Sequence, residues 1–174
     1  MLASVLMFSC SSQLEVTVKT APPASEPVAA QTYAWITDDP VLIMAGEPHE
    51  IRTERNEKRL RNAIDLALQA KGYSETQRAD ADLIVAFSVG TDVRYRLEGG
   101  TGEPGVSTLA PSERSTKGTA NVYLYDRPSG DLVWHSSIWK WIAKGGETDE
   151  VLNEGAVKLL AEFPNASAAA APAT

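Results

Sequence analysis

The run from Thr116 to Ala143 constrains this chain more than any other stretch. Gly118 to Asp126 (GTANVYLYD) and Asp131 to Ala143 (DLVWHSSIWKWIA) are rich in β-branched and aromatic residues, and Arg127-Pro128-Ser129-Gly130 separates them. Two such runs joined by a short loop with proline and glycine read as an antiparallel hairpin. Pro128 presets φ for the turn, and Gly130 can take the positive φ that closes it. With Asp126 opposite Gly130, the residues Ala120, Val122 and Leu124 share a face with Leu132, Trp134, Ser136, Ile138 and Ile142. That face is the expected core. Tyr123, Tyr125, Val133, His135, Trp139 and Trp141 then point the other way, and a slip of one residue exchanges the two sets.

Upstream, Asp80 to Glu98 alternates cleanly. Leu83, Val85, Phe87, Val89, Val93, Tyr95 and Leu97 lie on one face, and Asp82, Ser88, Asp92, Arg94 and Arg96 on the other. Such a strand has one solvated side and is antiparallel in character. Gly99 to Arg114 reads as a long polar loop between this strand and the hairpin. Gln31 to Thr37 is a short strand ended by Asp38-Asp39-Pro40. Between Pro48 and Lys71 the period becomes helical: Leu60, Ile64, Ala67 and Lys71 fall on one stripe that Ala63, Leu68 and Ala70 widen, and Gly72 stops it. The first half of that segment, His49 to Arg59, carries little apolar surface and is expected to fray. A second helix starts at Thr148 with Asp149 and Glu150 in its first turn, buries Leu152, Ala156, Leu159, Leu160 and Phe163, and ends at Pro164. The predicted fold is therefore α+β: an antiparallel sheet of four to five strands with both helices on one face.

With 174 residues, the chain is long enough for one domain with a real core. Its net charge of -7 lacks the basic stripe that nucleic acid demands. The one cysteine excludes an intramolecular disulfide and a cysteine-built zinc site. Met1 to Ser9 is apolar, uncharged and too short to span a bilayer, and it runs directly into Cys10. This arrangement resembles the end of a bacterial lipoprotein signal peptide, with Met7-Phe8-Ser9-Cys10 as the lipobox and Cys10 as the acylated residue. Residues 1–9 are then signal segment. Residues 10–30 hold the lipidated cysteine, a short alternating strand at Leu14 to Lys19 and a proline- and alanine-rich linker. Residues 31–164 form the domain, and 165–174 a disordered alanine-rich tail. Ser11 and Ser12 supply no aspartate, which by the same resemblance favours the outer membrane, facing the periplasm.

Several landmarks resemble a known family. They are Gln31-Thr32-Tyr33-Ala34-Trp35, Ala70-Lys71-Gly72-Tyr73, Ala81-Asp82-Leu83-Ile84-Val85, Tyr125-Asp126 with Ser129-Gly130-Asp131-Leu132-Val133-Trp134, and Lys158-Leu159-Leu160 with Phe163-Pro164. Their order and spacing are similar to those of the bacterial envelope lipoproteins grouped as domain of unknown function 4136, over roughly Leu14 to Pro164. The resemblance implies an α+β fold and an envelope address. It implies no catalytic residues.

Other chemistry finds little support in the sequence. Gly100-Thr101-Gly102-Glu103-Pro104-Gly105 fits G-x-G-x-x-G, but Pro104 and the residues after it do not open the helix that a dinucleotide site needs. His49 and His135 are the only histidines, and His49-Glu50 lacks the second histidine of a zinc protease. No metal or other cofactor is expected, and no nucleophile has a base in view. Asp80 with Asp82, and Asp38 with Asp39, read as solvated acids at turn edges. The aromatic face of the hairpin remains: Tyr123, Tyr125, His135, Trp139 and Trp141 either form a binding surface or are covered by a helix or the 99–114 loop. The expected function is that of a lipid-anchored envelope protein with a non-catalytic interaction or structural role. Its partners are the membrane through Cys10 and an envelope protein or small apolar ligand. The alternative is a small-ligand carrier or hydrolase with a pocket beside the aromatic face.

Overall fold

The computed structural model describes residues 15–18, 30–39, 53–99, 109–142 and 147–166, and gives only the backbone in 15–18, 93–99 and 109–115. Among the described residues, six strands and two helices follow one another as β1 (Glu15–Val18), β2 (Thr32–Trp35), α1 (Glu54–Ala70), β3 (Ser74–Glu75), β4 (Leu83–Gly99), β5 (Leu109–Asp126), β6 (Leu132–Trp141) and α2 (Asp149–Leu159). They form one sheet in the order β1-β6-β5-β4-β2-β3. Since β3 is two residues long, the sheet has five strands of ordinary length.

The sheet is mixed, which corrects the expectation of a purely antiparallel one. β2 runs parallel to β4, with Tyr33 opposite Leu83 and Trp35 opposite Val85, and β3 runs parallel to β2. Parallel neighbours need a crossover connection, and α1 lies in it. Burial agrees: Tyr33, Ala34 and Trp35 are all buried although successive side chains point to opposite faces. A strand covered on both sides is characteristic of parallel pairing.

The hairpin forms as expected, with a correction near its turn. Leu124 pairs with Trp134 and Val122 with Ser136, but Tyr125 pairs with Leu132, so Val133 is an extra residue in β6. This β-bulge shifts the alternation by one. Leu132, assigned to the core face, therefore sits beside Tyr125 on the opposite face and is 36% exposed. Gly130 takes φ 75°, as the turn requires.

A second correction concerns 99–114. β4 extends to Gly99 and β5 begins at Leu109, so positions 109–114, assigned to the loop, are strand, with a bulge between Arg96 and Leu97. The G-x-G-x-x-G motif, His49 and Cys10 lie outside the described residues.

Both helices pack on one face of the sheet. Ile64 and Leu68 of α1 and Ala156 and Leu159 of α2, followed by Leu160 and Phe163, meet Tyr33, Trp35, Leu83, Val85, Phe87, Val122, Leu124, Trp134 and Ile138. Trp134 fits this core because its indole N–H has acceptors there, Leu159 O at 3.2 Å and Ser136 Oγ at 3.3 Å. Thr53 caps α1 by accepting from the Asn56 N–H, and Gly72 beyond its end has φ 91°. Thr148 caps α2 in the same way through Val151 N–H. Arg59 ties the two helices, donating to Asp149 Oδ1 and Glu147 O. The chain stays attached just past Pro164, where Ala166 N–H donates to Lys71 O at 2.9 Å.

Candidate functional site

Pleating sends every second residue of β4, β5 and β6 away from the helices. On that outer face, Tyr123 lies opposite His135, Asn121 opposite Ser137, Thr119 opposite Trp139 and Lys117 opposite Trp141. β4 adds Ala86, Ser88 and Gly90 to the same cross-strand rows. All five residues predicted for a binding surface, Tyr123, Tyr125, His135, Trp139 and Trp141, therefore share one face. Neither helix covers it.

The aromatic residues form two groups. Near the hairpin turn, the Tyr123 and His135 rings stack with centroids 4.5 Å apart and 2° between planes. At the far end, the Lys117 ammonium lies 3.9 Å from the Trp139 ring centroid, a cation–π contact, and Trp141 is 45% exposed. Between them is a polar strip, in which the Asn121 amide donates to Ser88 Oγ at 3.1 Å. His135 Nε2 is buried and has no hydrogen-bond partner among the described residues. Such a nitrogen is rare in a folded protein.

A second polar constellation, missed in the sequence, lies where α1 meets β2. Asp65 Oδ1 accepts from the Tyr33 hydroxyl at 2.8 Å and from the Trp35 indole at 3.0 Å. Burial raises the Asp65 pKa, opposed by those two hydrogen bonds and by Arg61. Burial also raises that of Glu75, assisted by the negative charges of Asp65 and Asp38. The Tyr33 hydroxyl is pushed up, first by burial and then by Asp65. Arg61 stands 4.9 Å from the Trp35 ring centroid, pairs with buried Glu57 at 2.9 Å, and donates to Thr37 O and Asp39 O. Its hydrogen-bonding capacity is taken up in holding the end of β2 to α1. Together these contacts clamp β2 and the residues just after it to α1.

Asp82 is likewise structural. Its Oδ2 accepts from Gln31 N–H at 2.8 Å, Thr32 N–H at 3.0 Å and the Thr32 hydroxyl at 2.8 Å. The Gln31 backbone bond is the main reason its pKa is lowered. Among the described residues no group of three or more His, Cys, Asp and Glu is placed to hold a metal ion. No described helix is long and apolar enough to cross a membrane.

This arrangement defines the class: an α+β domain whose mixed sheet carries two helices on one face and an aromatic–polar surface on the other. The chain belongs to the DUF4136 family, a domain of unknown function whose family model matches residues 24–165. No curated protein matches the sequence. Among solved structures, a PelC dodecamer from Paraburkholderia phytofirmans is similar at 12% identity and TM-score 0.50, over 85% of this chain and 95% of that one. A PDZ domain protein from Parabacteroides distasonis aligns at 12% identity and TM-score 0.52, over 87% of this chain but 36% of its own. A DUF4136 family protein from Bacteroides thetaiotaomicron aligns at 15% identity and TM-score 0.44, over 88% and 97%. At these identities the likeness concerns the fold alone.

Proposed function

We propose that the protein is a lipid-anchored module of the bacterial cell envelope, held at the outer membrane through Cys10 and facing the periplasm, with a non-catalytic interaction role. One observation carries the interaction part: Tyr123, His135, Trp139 and Trp141 are gathered on the sheet face opposite both helices. Neither helix packs against that aromatic surface. Large aromatic side chains with polar tips suit recognition, because they offer contact area at small entropic cost. The cysteine context at Ser9-Cys10-Ser11 supports the anchor. Acylation with more than one chain gives stable membrane attachment where a single chain is marginal.

Two measurements test this reading. Metabolic labelling with an alkyne fatty acid is expected to mark the wild type and not Cys10→Ser; a wild type that stays unlabelled removes the anchor. A photo-crosslinking residue at Trp141 is expected to capture an envelope component in living cells, while one at the exposed Leu66 of α1 captures none. Equal yields from the two positions overturn the interaction face.

A further inference from the structure

We propose that the helix-free face binds a neutral saccharide on the polar strip between its two aromatic groups. The proposal deepens the interaction reading and rests on it. The Tyr123–His135 row and the Thr119–Trp139 row are four residues apart along the strands. At ~3.4 Å per residue that separation is about 14 Å, enough for a short oligosaccharide. Ser88 and Asn121 form the hydrogen-bonded part of the floor. On the β4 side, a Cβ added at Gly90 would meet no described residue within 4 Å. A glycine inside a strand often marks a place where another molecule approaches the backbone.

The chemistry of the face selects the ligand class. A sugar ring has an apolar C–H face that stacks on an aromatic ring and a rim of hydroxyls that match serine, threonine and asparagine. An acyl chain laid on the same strip would take from water the hydrogen-bonding capacity that the single Asn121–Ser88 bond leaves unused, at a cost of roughly 1–3 kcal/mol for each polar group left unsatisfied. Nucleic acid needs several cations. Here Lys117 is already engaged over Trp139, and the chain's net charge is -7. A peptide adding as a strand needs a free sheet edge. Beside the strip β5 is paired with β4 and β6, and β6 is paired with β5 and, at Ser136 to Trp139, with β1, so the strip offers side chains and no backbone ladder.

The test is calorimetric titration of the full chain with cellohexaose, maltohexaose and chitohexaose, and with an oligogalacturonate as the acidic comparison. Saturable binding of at least one neutral probe is expected. Trp141→Ala and Asn121→Ala should each weaken it about tenfold while keeping the wild-type melting temperature, and Leu66→Ala should leave it unchanged. Absence of binding by all three neutral probes, preference for the acidic one, or binding indifferent to both variants overturns the assignment. If crosslinks from position 141 still capture an envelope protein while no saccharide binds, the interaction face stands and the saccharide falls.

Discussion

Thr32 and Asp82 exchange hydrogen bonds across parallel strands: the Thr32 hydroxyl donates to Asp82 Oδ2 at 2.8 Å while accepting from Asp82 N–H at 3.0 Å. With Gln31 N–H and Thr32 N–H on the same carboxylate oxygen, this pair fixes where β2 begins against β4. A four-residue strand has few ladder bonds of its own.

Asp82→Ala is therefore expected to cost about 2–3 kcal/mol, the scale of losing charge-assisted hydrogen bonds. Urea unfolding with an unchanged m-value checks it. A loss under about 0.5 kcal/mol would show that β2 registers without this pair.

Trp134→Ala should cost roughly 3–5 kcal/mol, since the side chain is buried at the junction of both helices with the sheet. Trp134→Phe isolates the indole N–H and its bond to Leu159 O. That smaller change should lose about 1–2 kcal/mol in thermal or urea unfolding.

Stability should rise as the pH is lowered from neutral and fall again in stronger acid. Asp65 and Glu75 have raised pKa values in the folded protein, so folding takes up protons above ~4, the ordinary carboxylate value. Their destabilising charge is relieved as the pH falls through the folded values. Asp82 has a lowered pKa, so its contribution is present above the ordinary value and is lost as the pH falls below it. Melting temperature against pH checks both limbs. Asp65→Asn, which keeps an acceptor for Tyr33 and Trp35, should flatten the first limb and spare the second.

Two glycines with open space around them should respond oppositely to alanine. Gly130 has φ 75° and no described residue within 4 Å of an added Cβ, so Gly130→Ala meets backbone strain. The expected loss is roughly 1–2 kcal/mol. Gly90 has open space but no positive φ, and Gly90→Ala should stabilise the strand by roughly 0.5–1 kcal/mol. Paired unfolding curves compare them.

The hairpin, the alternation of β4 and the stop of α1 before Gly72 were legible because each is written in neighbouring residues, whereas α2 ends at Leu159, ahead of the stop expected at Pro164. Trp134 could be placed inside and Trp139 outside from period two alone. The direction of β2 was not legible from its own residues, since alternation is the same for parallel and antiparallel pairing; the signs of parallel pairing are the helix that lies between β2 and β4 in the chain and the burial of Ala34 on the second face. Leu132 was misplaced because a bulge at Val133 adds no mark to the sequence. The Asp65 clamp joins β2 to a helix position some thirty residues later, a contact that no local pattern encodes. Its one hint was the acid itself, set between Ile64 and Leu68. For the candidate site, the five residues were readable as a set, while the polar strip of Ser88, Asn121 and Ser137 required the register of three strands.

The alternation along β5 and β6 divides their residues into two independent inventories. Val122, Leu124, Trp134 and Ile138 answer to the helices, whereas Asn121, Tyr123, His135 and Trp139 answer to whatever lies outside. A descendant of this chain can thus acquire a new specificity by rewriting alternate letters, and the text that instructs it to fold is left intact.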